Sequence, residues 1–206
     1  MSLFPMFVKL RDRLCIVVGG GQIAESKIPG LLAAQAQVRI IAPEVTESLA
    51  ASAGDGRIEW VRKTFEPGDL DGAYLVVAAT SVVAVNHEVF REAEARGILC
   101  NAVDDPDYCH FYYPSVVRRG ALQIAISTEG LSPALAQRLR RELEAQFGPE
   151  YQPWLDWLGA ARKFLRAKND DPEETRQLLH QLASPEMFTK FLRESGRPDG
   201  KGSNVW

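Results

Sequence analysis

Two stretches of this 206-residue chain carry residues whose types and spacing suit chemistry. The first is Gly19-Gly20-Gly21-Gln22-Ile23-Ala24, which fits the pattern G-x-G-x-x-A. Gly19 permits a tight turn, Gly21 lets backbone amides approach a pyrophosphate, and Ala24 lets a helix pack closely on a strand. The amides of Gln22 and Ile23, at the start of that helix, would then face the anion. A glycine triplet alone marks only a turn; here it follows an apolar run and opens a helical pattern, the context that dinucleotide binding requires. A carboxylate is expected about 20 residues further on, against the ribose hydroxyls, and Pro43-Glu44 occupies that place. Such a carboxylate favours NAD over NADP. Thr80 ends a later apolar run and is expected to line the same crevice, or to cap the helix after it. The second stretch is Asp104-Asp105-Pro106-Asp107-Tyr108-Cys109-His110. Asp104 directly follows an apolar run, at the edge where ligands of such sheets bind. A carboxylate there can take the proton released when a hydride leaves a substrate; the plainer alternative is a loop or cap aspartate. His110 and Cys109, beside these acids, lack a strong metal-ligand spacing.

The elements that must position these groups follow from apolar patterning. Runs at 13–18, 38–42, 58–61, 73–79 and 98–103 read as five strands. Helical patterns over 22–35, 44–53 and 82–96 alternate with them, and Pro29 is expected to kink the first. Strand alternating with helix predicts an α/β fold, a Rossmann-type doubly wound parallel sheet. After Asp104 the rhythm changes. Strands at 111–117 and 122–127, around Arg118-Arg119-Gly120, predict a β-hairpin. Helices follow at 133–147, 150–168 and 172–194, the first started by Ser132-Pro133 and the last by Asp171-Pro172. Trp154, Trp157, Phe164 and Leu165 are expected to pack this helical part, and the tail 195–206 to be mobile. The domains expected are an NAD-binding domain over 1–112, a hairpin-plus-helix region over 113–147 and a helical domain over 148–206.

Composition removes several classes. The chain is 46% hydrophobic and 25% charged, enough for a core and against disorder. A net charge of -3 disfavours a nucleic-acid partner. No window approaches the roughly 20 apolar residues of a membrane span, and the start does not read as a signal peptide. Three cysteines without close spacing argue against a disulfide framework and for a reducing cytoplasm. No tyrosine is followed four residues later by lysine, which disfavours a short-chain dehydrogenase.

The combined pattern resembles the siroheme synthase N-terminal family, the precorrin-2 dehydrogenases. The resemblance rests on Phe4-Pro5-Met6-Phe7, on Val17 through Ala24 with Lys27, on Val77-Ala78-Ala79-Thr80 with Asn86, and on Cys100-Asn101-Ala102-Val103-Asp104. It continues through Phe111, Pro114-Ser115, Ile126-Ser127-Thr128 and Ser132 to Ala136, over roughly residues 1–145. Ser26 stands where the family usually has arginine, and Glu129 where it has glycine. The resemblance implies NAD-dependent oxidation of precorrin-2 to sirohydrochlorin, in some members with insertion of ferrous iron or cobalt. It implies Asp104 as the key carboxylate of both activities, including a tentative metal role. It also implies a homodimer, to which the hairpin and the following helix contribute, and a separate uroporphyrinogen methyltransferase that supplies the substrate. The macrocycle carries eight carboxylates, so local cations are required. Arg118 and Arg119 are the candidates, with Arg138, Arg140 and Arg141 behind them, and Asn101, Ser127 and Thr128 as polar substrate contacts. Two other readings compete: a non-catalytic NAD-sensing regulatory module, and an NAD-dependent dehydrogenase of a smaller substrate. The first explains the glycine turn but not the Asn101–Asp104 segment.

Overall fold

The structure is a computed structural model and describes residues 3–195, so the tail expected to be mobile lies outside the described residues from 196 on. The chain divides into two compact units, Met1–Tyr113 and Pro114–Trp206.

The first unit is built on five parallel strands: β1 (Leu14–Val18), β2 (Gln37–Ile41), β3 (Glu59–Val61), β4 (Leu75–Ala78) and β5 (Leu99–Ala102), in the order β3-β2-β1-β4-β5. Helices α1 (Gln22–Ala33), α2 (Glu47–Gly54) and α3 (Val83–Ala95) connect them. Alternate residues of the strands fill two separate cores. Cys15 and Val17 of β1 join Ile28 and Leu31 of α1, whereas Ile16 and Val18 join Val89 and Ala93 of α3. A sheet covered on both faces explains why its strands are continuous apolar runs without alternation. Helix α1 runs through Pro29 without interruption. Because β1 sends its chain to one side and β4 to the other, a crevice opens at their carboxyl ends, between Val18 and Ala78 in the paired register.

The second unit holds an antiparallel hairpin, β6 (Ser115–Arg119) and β7 (Leu122–Ile126), and helices α4 (Pro133–Gln146), α5 (Tyr151–Lys168), α6 (Pro172–Leu182) and α7 (Pro185–Glu194). The first hairpin strand starts later than expected. Pro114 offers no N–H to a ladder, and Phe111 is held by β5, whose Asn101 donates to the Phe111 carbonyl at 2.8 Å. The turn is Gly120-Ala121, which puts Arg118 and Arg119 in the strand and not at its tip. The single helix predicted over 172–194 is two. Ser184 caps a new start, its hydroxyl accepting from the Met187 amide, and Pro185 at N1 cannot continue the preceding helix. Trp154 and Trp157 pack on Phe188 and Phe191 of α7, with ring centres 4.5 and 6.0 Å apart. Phe164 does not pack as expected: it is exposed, with Lys168 over its ring.

Candidate functional site

Gly19 through Ile23 of the expected phosphate turn line the β1/β4 crevice, which has a volume of about 550 Å³, well inside the range of small-molecule sites, and Ala24 is buried in the core. Gly19 has φ +118, and a Cβ there would strike the carbonyl of Ala79 on the neighbouring strand. Gly20 is equally confined, because a Cβ would run into Glu44 and lie 2.9 Å from the Val45 Cα. Gly21 is the opposite case: a Cβ would meet nothing within 4 Å, so its face is open to the crevice. Gly21 is also the N-cap of α1, and no side chain accepts from the first-turn amides. Those amides therefore remain available to an anion at the positive end of a twelve-residue helix. Closed glycines that shape the turn and an open one facing the cleft are what a pyrophosphate cradle needs.

The rim of the crevice includes Ile23, Pro43, Glu44 and Thr80, all as expected, together with Thr64 and Phe65, which the sequence reading missed. The last two sit in an irregular connection with no periodic pattern to mark them. Arg39 is turned away, paired with Glu59 on the adjacent strand at 2.7 Å. Arg62 was also missed; its Nε donates to the Pro43 carbonyl at 3.3 Å, on the rim that carries Glu44. Thr80 fills both roles considered for it. It lines the crevice, and its hydroxyl lies 3.0 Å from the Val82 carbonyl and 2.8 Å from Oδ1 of the buried Asn86 at the start of α3. Asn86 completes the grip by donating to the Thr80 carbonyl at 3.1 Å.

Asp104 follows β5 and is exposed, with φ +62. Aspartate tolerates this left-handed conformation better than most residues, yet it is an uncommon one for any side chain other than glycine. The loop beyond is fastened from several directions. Asn101 is 7% exposed, and its amide donates to the Phe111 carbonyl and to Cys109 Sγ, the latter at 3.3 Å. The Asn101 amide nitrogen thus serves the loop. Cys109 Sγ donates to the carbonyls of Ala102 and Asp105 at 3.1 and 3.2 Å, and the His110 ring accepts the Cys100 amide at 3.1 Å. A 3₁₀ turn, Pro106–Tyr108, brings Tyr108 against His87 of α3 with ring centres 3.6 Å apart. His87 Nε2 also lies 2.7 Å from an Asp105 carboxylate oxygen. Sequence spacing held no sign of this pair, whose members are 18 residues apart.

Burial pushes the Cys100 thiol up to about 12, with Cys109 adding to it. Burial also raises Cys109, and the Ala102 carbonyl only partly offsets this. Burial thus keeps both in the thiol form at neutral pH. Among the described residues, no three His, Cys, Asp or Glu gather so as to hold a metal ion.

The remaining expected residues belong to the second unit. Ser127 Oγ accepts from the Glu129 amide at 3.1 Å, and Thr128 Oγ1 from the Ser132 amide at 3.2 Å, so both shape the turn before α4. Glu129 has φ +52, a left-handed position that favours glycine. Ser26 turns its hydroxyl back to the Ile23 carbonyl at 2.7 Å and does not replace the missing arginine. Arg119 is committed elsewhere: it donates to the carbonyls of Phe147 and Glu144, at 2.7 and 3.0 Å, and so caps the end of α4. Its expected role toward a substrate would have to give up these bonds. Arg118 is exposed.

A family model for NAD(P)-binding domains matches residues 6–115, and a model described as Sirohaem biosynthesis protein central matches residues 119–146. The chain belongs to the siroheme synthase N-terminal family. It is 47% identical to the siroheme synthase of Methylobacillus flagellatus over 151 residues, which is 73% of this chain and 32% of that protein. It is 43% identical to the siroheme synthase of Actinobacillus pleuropneumoniae serotype 7 over 191 residues, 93% of this chain and 39% of that one. The chain thus spans about a third of the length of the curated relatives it matches. A solved structure titled SirC, precorrin-2 dehydrogenase, superposes with a TM-score of 0.77 at 26% identity, covering 93% of this chain and 98% of the other. The first unit is accordingly a nicotinamide-dinucleotide-binding domain of the doubly wound type. No helix among the described residues is long and apolar enough to cross a membrane.

Proposed function

We propose that this chain oxidises precorrin-2 to sirohydrochlorin with NAD as acceptor, and that Asp104 is the catalytic carboxylate. The observation that carries this reading is a carboxylate in a left-handed backbone position at the carboxyl edge of the sheet, one strand from the glycine cradle. Strained residues of this kind cluster at functional sites. The Gln22 and Ile23 amides, with Gly19 and Gly21 shaping the turn, hold the pyrophosphate. Pro43 and Glu44 hold the adenosine ribose, and Thr80 lines the wall of the pocket. When bound, NAD accepts the hydride removed from the macrocycle. The macrocycle also loses one proton, and the Asp104 carboxylate takes it. The two hydrogens lost thus leave as one hydride and one proton.

Arg118, Ser127 and Thr128 are proposed to meet substrate carboxylates. The chain works as a homodimer in the cytoplasm, on precorrin-2 made by a separate methyltransferase. Oxidation is proposed as the main activity. Incubation with precorrin-2 and NAD, followed by absorbance, tests the assignment: sirohydrochlorin should accumulate, and Asp104→Ala should stop it. No sirohydrochlorin from the unaltered protein would reject the reading.

A further inference from the structure

A groove in the second unit, about 770 Å³, has no part in the proposed reaction. It runs between the C-terminal half of α5 and the length of α6. Arg162, Arg166, Asn169, Thr175, Leu179 and His180 line it, and no Asp or Glu does. Arg162 and Arg166 lie four apart on one helix face, a spacing at which like charges repel. Neither has an ion-pair partner among the described residues. Two nearby acids are already engaged: Asp171 accepts from the Glu173 and Glu174 amides, and Glu173 holds Arg176 at 2.6 Å.

An independent observation comes from the groove wall. Thr175 is 6% exposed, and its hydroxyl has no hydrogen-bond partner. A buried unpaired hydroxyl is destabilising unless something completes it. A helical threonine ordinarily escapes this by bonding a carbonyl of the preceding turn, and this one does not. Two unneutralised guanidinium groups, one unpaired buried hydroxyl and the apolar Leu179 thus line one groove.

We propose that the α5–α6 groove binds a small organic polyanion, one carrying carboxylate or phosphate groups on an apolar body. Arg162 and Arg166 take the charged oxygens, the buried Thr175 hydroxyl rotates about its Cα–Cβ bond to donate to one of them, and Leu179 covers the body. The site lies wholly within the helices of the second unit, so it stands whether or not the proposed oxidation is correct.

The test uses the full chain with two probes, benzene-1,3,5-tricarboxylate and inorganic phosphate, followed by calorimetry and amide NMR. The tricarboxylate should bind, with shifts confined to the segment 162–183, and about tenfold more tightly than phosphate because of the apolar Leu179. Arg162→Gln with Arg166→Gln should weaken it by about tenfold or more, and Thr175→Val several-fold, with NAD affinity unchanged. Phosphate binding as tightly as the tricarboxylate would overturn the apolar-body part. No binding of either probe at about 10 mM, or shifts lying outside the groove in the unaltered protein, would overturn the site altogether.

Discussion

In the first unit each central strand is sealed on both faces by helices, whereas in the second an 18-residue helix, α5, has no buried residue at all. Among the described residues the second unit contributes only Val117, Ala136 and Leu192 to the buried hydrophobics. It also leaves Leu131 89% exposed and Phe164 58% exposed. The first unit can thus be stable through its own core, since burial of apolar area is the main force available. The second has hairpin and helices with little between them, and its apolar surface calls for cover. That contrast is what the proposed homodimer would resolve: a nucleotide module complete in itself, and a helical module completed by its twin.

The contrast can be broken in four places. The largest effect is expected at Asp104, which is exposed and supports no core. Asp104→Asn should lower the oxidation rate by about 10²–10⁴-fold and leave the melting temperature unchanged; a rate near normal would remove the carboxylate from the chemistry. Next is the glycine pair. Gly19→Ala should destabilise the first unit by about 3 kcal/mol or more, because its φ is +118 and the Ala79 carbonyl is in the way. Gly21→Ala should fold normally and lose NAD affinity, measured by calorimetry, since the new methyl group projects into the open crevice. If both unfold the protein equally, the distinction between closed and open glycines is wrong.

The third test compares cores. Ile16→Ala should lower stability by about 3 kcal/mol at any protein concentration. Leu192→Ala should cost about 2 kcal/mol, and the second unit's transition should move with protein concentration if association completes it. A transition independent of concentration would argue that the unit stands alone. The smallest effect separates the two hairpin arginines. Arg119→Ala should lose about 1–2 kcal/mol of stability with KM unchanged, as it caps α4. Arg118→Ala should raise KM and leave stability alone.

The same asymmetry governs what was legible in the sequence. The five strands of the first unit could be read because a sheet covered twice needs unbroken apolar runs. Gly19-Gly20-Gly21 could be read because one backbone geometry excludes every other residue at two of its positions. The break at Ser184-Pro185 was signalled by the same Ser-Pro start as Ser132-Pro133, but strong amphipathic patterning on both sides hid it. The bonds of Arg119 could not be read because charge patterning reveals a cation without its partner, and carbonyls at the end of a helix leave no mark in sequence. His87 with Asp105, Asn101 with Phe111, and the unpaired Thr175 are products of tertiary contact alone. Local spacing contains none of them.

The Asn101 amide has a consequence for the timing of ordering. By gripping the Phe111 carbonyl it closes residues 101–111 into a ring whose base is part of the sheet. The entropy of fixing the Asp104 loop is then lost once, when the molecule folds, and not again at each turnover. A loop that closed over its substrate would add its own opening and closing to every cycle. Here the clasp moves that step out of the catalytic clock.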